Sequence, residues 1–302
     1  RVFQYQVISG TATWTQLGAD IDGEAANDSF GTGLTLSSDG SRVAIGAAAN
    51  DGNGSDSGHV RIYDYNGSAW VQVGGDIDGE AAGDRSGRTL SLSSDGSRVA
   101  IGGFLNDAGG DDAGHVRIYD YNGSAWVQVG GDIDGEAAGD RSGRTLSLSS
   151  DGSRVAIGGF LNDAGGDDAG HVRIYDYNGS AWVQVGADID GEAAGDISGR
   201  PVSLSSDGSR VAIGGPDNDG NGSDSGHVRV YSISSGESYQ YTWDIDSGST
   251  PPSGTYYATV SGTTVATGGA YSGTESITFT LDTTAPTVTL TSTDIDNVVN
   301  AS

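Results

Sequence analysis

The apolar positions of this chain recur in short alternating runs. Within residues 87–130, Leu90 and Leu92 alternate with polar neighbours over Thr89–Ser93, Val99 and Ile101 over Arg98–Gly102, and Val116 and Ile118 over His115–Tyr121. A fourth run, Ala125–Val129, sets Trp126 opposite Val127 and Val129. Alternation with period two over four to eight residues is the mark of a β-strand. No segment carries a 3.6-residue period, so the pattern predicts an all-β chain without helices. Asp95-Gly96 and Asn122-Gly123 fall between runs and predict type I′ hairpin turns. The third run decides the architecture. Val116 and Ile118 face one way and Tyr119 and Tyr121 the other, so both faces of the sheet are apolar or aromatic. Four-stranded sheets stacked face to face around an axis bury both faces, which is the β-propeller arrangement.

The pattern is copied along the chain. Trp14, Trp70, Trp126 and Trp182 are 56 residues apart, and His59, His115, His171 and His227 keep the same step. Residues 71–126 and 127–182 are identical, the signature of a recent duplication. The period fades later: Asp188-Ile189-Asp190 recurs at Asp244-Ile245-Asp246, whereas Trp182 falls opposite Ser238. The predicted organisation is a partial blade over 1–18, then repeats over about 19–74, 75–130, 131–186 and 187–236. Known propeller repeats run to about 40–50 residues, so this longer unit leaves room for two extended loops.

Composition narrows the chemistry. The chain has 302 residues, with 41 acidic and 14 basic side chains and a net charge of −27; every basic residue is arginine, and Cys and Met are absent. Without Met, residue 1 is not a translation start, and the chain reads as a piece of a longer protein. Disulfides, thiolate metal sites and lysine Schiff bases are excluded. Nucleic acid and anionic membranes are disfavoured as partners, because both need a basic footprint. No apolar run approaches the ~20 residues of a membrane helix. Residues 71–126 hold nine acids against four arginines, so the charge is distributed blade by blade. Such a surface suits salt water or calcium, where charge is screened or bound.

Two acidic loops are candidate cation sites. Asp76, Asp78, Glu80 and Asp84 fall at alternating positions of one loop, with copies at Asp20, Asp22, Glu24 and Asp28, at Asp132, Asp134, Glu136 and Asp140, and at Asp188, Asp190, Glu192 and Asp196. Alternate carboxylates of a tight loop can converge on Ca2+, which takes six to eight oxygens. The glycine at the fourth position departs from the usual calcium loop, and a connector whose aspartates cap turns is the alternative. The second loop is Asn50–Asp56, with its variant Asn106–Asp112, and reads as a flexible acidic hairpin or a weaker cation site. The histidines, each in Gly-His-Val-Arg at the start of the third strand, read as packing or hydrogen-bonding residues. Arg98 and Arg117 read as members of surface ion pairs, and Arg85 and Arg88 as counter-charges that compete with a cation. Asn66-Gly67-Ser68 and its copies match a glycosylation acceptor but are also needed by a turn. The tryptophans read as core between blades. Acid pairs such as Asp111 and Asp112 are equivalent in every copy, and an active site normally breaks repeat symmetry, so no catalytic residue is assigned.

Residues 30–47, from Phe30-Gly31 through Ser38-Asp39-Gly40 to Val43-Ala44-Ile45-Gly46-Ala47, resemble an FG-GAP repeat, with Gly214-Gly215-Pro216 the nearest match to its closing motif. The resemblance covers residues 1–236. Ser86, Ser142 and Ser198 replace the phenylalanine of the FG pair, and Gly103 and Gly159 replace its alanine. It implies a propeller of the kind found in integrin alpha chains and in bacterial and algal surface proteins. Seven blades would then require more of them before Arg1; a closed four-bladed ring is the alternative. The family's calcium loop does not carry over, because the link between the first two strands is only Ser94-Asp95-Gly96-Ser97. Residues 237–285 turn rich in Thr, Ser and Tyr and resemble part of a bacterial immunoglobulin-like domain, with a further module starting over 286–302. These readings predict an extracellular or cell-surface, non-catalytic module for adhesion to a protein or glycan, with calcium as its candidate ion. The alternatives are a structural spacer and a propeller enzyme acting on polysaccharide.

Overall fold

The computed structural model describes residues 1–8, 11–233, 255–257 and 278–280. It is all-β, without helices among the described residues, and divides into two units, Arg1–Ile233 and Ser234–Ser302. The first unit is built of repeated antiparallel sheets in a β-propeller pattern. A hairpin, β1 (Phe3–Ile8) with β2 (Thr11–Gln16), precedes the first full blade. That blade has β3 (Phe30–Leu36), β4 (Arg42–Ala47), β5 (His59–Tyr65) and β6 (Trp70–Gln72) in order, with the two-residue β7 (Ile77–Asp78) also on β5. The second repeats it as β8 (Thr89–Leu92), β9 (Arg98–Gly103), β10 (His115–Tyr121), β11 (Trp126–Gln128) and β12 (Ile133–Asp134). The third follows as β13 (Thr145–Leu148), β14 (Arg154–Gly159), β15 (His171–Tyr177), β16 (Trp182–Gln184) and β17 (Ile189–Asp190). The fourth shows three strands, β18 (Val202–Leu204), β19 (Arg210–Gly215) and β20 (His227–Ser232). In the second unit β21 (Thr255–Tyr257) pairs antiparallel with β22 (Thr278–Thr280); the rest of the predicted immunoglobulin-like segment lies outside the described residues.

Blades pack face to face, as the two-sided third strand requires. Ala44, Val60, Ile62 and Ile77 of the first blade bury against Leu90, Leu92, Val99, Ile101 and Tyr119 of the second, and the next two junctions repeat this pairing. The inner strands are also tied by backbone bonds one repeat apart: Ser38 N donates to Ser94 O, Ser94 N to Ser150 O, and Ser150 N to Ser206 O, at 2.8–2.9 Å. Contact is close enough to exclude side chains. A Cβ on Gly102 would run into the Gly143 carbonyl of the following blade. Arginine locks the same junction. Arg98 donates two bonds to Asp120 (2.6 and 2.7 Å), a third to Gly152 O (2.8 Å), and lies over the Tyr177 ring. Trp126 packs on the junction core and donates Nε1–H to Val73 O at 2.9 Å. The expected ion pairs of Arg98 and Arg117 are present, and each joins a largely buried guanidinium to a partly exposed acid.

Both turn expectations change. Tyr65 pairs with Trp70, so Asn66–Ala69 is a four-residue loop rather than a two-residue type I′ turn. Only Gly67 has positive φ, and Asn66 Oδ1 accepts from the backbone N–H of Ser68 and Ala69. The Asp95-Gly96 link is likewise longer: Ser93 N donates to Arg98 O, leaving Ser94–Ser97 as a four-residue loop, and Gly96 N donates to Ser93 O within it. Four-residue loops are commonly built on a type I turn, with a polar side chain completing the bonds.

The two outer faces of the array are open. Leu34 on β3 is 63% exposed where its counterpart Leu90 is 9%, and Val228 on β20 is 69% exposed where Val116 is 0%. The leading hairpin matches the outer half of a blade: the Tyr5 and Trp14 rings pack tilted at 5.1 Å, as Tyr65 and Trp70 do at 5.2 Å.

Candidate metal centre

The outer strand of each of the first three blades is interrupted. β11 pairs with the end of β10 and β12 with its beginning, both on one edge. The break sets the first aspartate of the connector beside the histidine that opens β10. The next connector residues form β12 and then turn towards the following blade. One connector thus serves two blades. Asp76 faces His59 of the blade before it, and Glu80 faces His115 of the blade after it.

The result is a repeated group of three: Glu24, His59 and Asp76; Glu80, His115 and Asp132; Glu136, His171 and Asp188. In each, one ligand atom per residue lies within 4.8 Å of the others. His171 Nδ1 is 3.8 Å from Glu136 Oε2 and 3.7 Å from Asp188 Oδ2. A fourth group gathers Glu192, Asp196 and His227.

The carboxylates are each oriented by a neighbour. Gln72, Gln128 and Gln184 donate to one oxygen of Asp76, Asp132 and Asp188 at 2.5–2.6 Å. Arg117 and Arg173 sit 3.5 Å from Glu80 Oε1 and Glu136 Oε1, leaving Oε2 of each glutamate turned to the imidazole. His59, His115 and His171 are buried, and both nitrogens of His115 and His171 lack a hydrogen-bond partner. Nε2 packs against glycine; a Cβ on Gly103 would meet it at 2.7 Å. Of the packing or hydrogen-bonding role expected for these histidines, His115 and His171 show the packing and not the hydrogen bonds. Burial, helped by the Arg117 guanidinium, lowers the His115 pKa to about 4, so its imidazole is neutral at neutral pH. Burial also raises the Glu80 and Glu136 carboxyls, with Asp132 and Asp188 adding repulsion against the opposing arginines.

The sequence grouped the carboxylates by adjacency, and the structure distributes them. Asp84 and Asp140 are buried turn caps: each Oδ2 accepts from the backbone N–H of Ala81 or Ala137 and from Nδ2 of Asn106 or Asn162. Asp28 and Asp196 do the same with Ala25 and Asn50, and with Ala193 and Asn218. Asp22, Asp78, Asp134 and Asp190 belong to none of the three-residue groups among the described residues, and Asp20 pairs with Arg1 and Gln16. The second acidic loop is bonded onto itself: Asp107 Oδ1 accepts Asp112 N, and Asn106 Oδ1 accepts Ala108 N. The short link between the first two strands is also bonded onto itself, because Asp39 accepts from both Ser37 and Ser41. The histidine was the residue missed as a candidate ligand. The available signal was that it recurs in step with two acids of the flanking connectors.

No protein-family model matches the chain, and no curated protein sequence matches it. Among solved structures, a candidate 6-phosphogluconolactonase from Bacteroides uniformis is similar at 15% identity and a TM-score of 0.43, covering 76% of this chain and 59% of that one. Hydrazine synthase of Kuenenia stuttgartiensis is similar at 15% identity and a TM-score of 0.39, covering 71% and 50%. The tricorn protease is similar at 13% identity and a TM-score of 0.39, over 68% of this chain and 18% of that one. This chain therefore spans 59% and 50% of the length of the first two. The propeller architecture stands on the repeated sheets themselves.

Proposed function

We propose that this protein is a non-catalytic, extracellular repeat module of a surface protein, built of FG-GAP-like blades and used for adhesion or recognition. The observation that carries this reading is the equivalence of the blades. The same acidic loop lies between the second and third strands of each, closed by the same bond from Asp56 N to Asp51 Oδ1, from Asp112 N to Asp107 Oδ1 and from Asp168 N to Asp163 Oδ1, each 2.8 Å. A surface copied several times binds a repetitive ligand by avidity, where weak single contacts add through high effective concentration. Catalysis gains nothing from such copying, although the blades are not identical throughout: Arg88, Arg144 and Arg200 lie over Phe104 and Phe160, where the first blade has Thr32 and Ala48. The uniformity also fits a second reading, a spacer without a specific ligand. Cation stabilisation belongs to either reading, since carboxylates of successive connectors meet at His59, His115 and His171. The oxygens there fall short of the six to eight that calcium takes.

The test is binding of the full chain to arrays of extracellular glycans and matrix proteins. The adhesive reading expects at least one target, with affinity falling stepwise as Asp107 and Asp163 are neutralised in successive blades. No target on either array leaves the spacer. Turnover of a polysaccharide substrate would overturn both.

A further inference from the structure

The His–Glu–Asp groups have a property that packing alone does not explain. A histidine held by simple hydrogen bonds closes to about 2.8–3.0 Å from its acceptor. His115 and His171 are fully buried, yet each Nδ1 stops 3.7–3.8 Å short of a glutamate oxygen and has no hydrogen-bond partner. Ligands of a tetrahedral zinc ion, bonded at about 2.0–2.2 Å, stand about 3.3 Å apart. The spacing is that of donors around an ion, slightly expanded.

We propose that these groups are binding sites for a divalent transition cation of the zinc class, three per chain, each held by one imidazole Nδ1, one glutamate Oε2 and one aspartate carboxylate oxygen. The donor set selects the class. An imidazole nitrogen with two carboxylates suits zinc and its neighbours, whereas calcium requires an all-oxygen shell. Two of the four carboxylate oxygens at each centre are already engaged, one by glutamine and one by arginine. Those engagements are what metal ligands need from their surroundings, because bonded partners fix the free oxygen's direction. The acids are partly exposed, so an ion has a route from solvent. The fourth histidine is not counted. Asp196 in its group has its Oδ2 committed to Ala193 and Asn218, and Asp244, the counterpart of Asp188, lies outside the described residues. A bound ion joins the connector before a blade, the blade itself and the connector after it, and so staples consecutive repeats. The proposal deepens the cation part of the proposed function and is independent of any adhesive target.

The experiment is titration of the chelator-stripped full chain with Zn2+, followed by calorimetry and by metal analysis after desalting. Three equivalents are expected, with a rise in melting temperature because the ligand binds only the native state. Co2+ in place of Zn2+ should give visible absorption of a nitrogen- and oxygen-ligated site. Glu80→Gln with Asp132→Asn should remove one equivalent and leave circular dichroism unchanged. Glu136→Gln with Asp188→Asn repeats the test in the third blade. Absence of saturable Zn2+ binding overturns the proposal. Unchanged stoichiometry in both double variants reduces the binding to diffuse surface charge and also overturns it. Displacement of Zn2+ by equimolar Ca2+ would reassign the centres to a hard cation and overturn the zinc-class assignment. None of these outcomes bears on the adhesion arrays.

Discussion

Ile197 occupies a backbone position that its side chain resists. Its φ is +53°, in the left-handed region, and its counterparts are Arg85 and Arg141 at +52° and +53°. For a β-branched residue this conformation is a true outlier, costing about 1–2 kcal/mol. Ile197→Gly should therefore raise stability by about 1 kcal/mol, read from the shift of the urea midpoint at constant slope. Asp39 and Asp207 show the opposite economy. The Ser41 backbone N–H, then the Ser37 and Ser41 hydroxyls, lower the Asp39 pKa to about 2; Ser205 and then Ser209 do the same for Asp207. A depressed carboxyl stabilises the fold above its unfolded pKa and loses that contribution as pH falls through the folded value. Side-chain carbonyl NMR should show both groups still ionised at pH 3, where an unperturbed aspartate is mostly protonated. Single residues also set the limit of sequence reading. The turn acids and the inward valines were legible because their cause is local. The pairing of Glu80 with His115 and of Asp76 with His59 was not, because a turn after β7 sends neighbours in sequence to different blades.

The strands are legible from alternation alone, and the apolar and aromatic residues of the third strand already specify its two-sided burial. What alternation could not reveal was β12, two residues long, whose pairing with His115 and Val116 places Asp132. Two residues carry no period. Burial differs sharply between equivalent strands, and that difference is testable. Val116 on β10 is fully buried against the next blade, whereas Val228 on β20 faces solvent. Val116→Thr should cost about 1–3 kcal/mol, since its hydroxyl enters a site without a partner. Val228→Thr should stay within about 0.5 kcal/mol. Equal costs measured by chemical denaturation would mean that β20 is covered in solution.

At the scale of the whole array, stability is a sum over blades and junctions, as in other repeat proteins. The second and third blades have a packed neighbour on each side, while Leu34 and Leu36 on β3 and Val228 and Val230 on β20 are open. Hydrogen exchange should accordingly be slowest in β9, β10, β14 and β15 and faster in β3 and β20, as read by mass spectrometry with the identical peptides of the second and third blades taken together. Fast exchange throughout the middle blades would contradict additive junctions. The registers of β9 on β10 and of β14 on β15 match residue for residue. A refolding chain therefore offers β9 two chemically indistinguishable partners. Only the shorter loop favours β10 over β15, by on the order of 1.5 kcal/mol of closure entropy. Between chains even that preference vanishes, so crowded refolding should exchange strands and yield swapped dimers. The duplication that makes the blades stack so regularly also erases the information that tells one from the next.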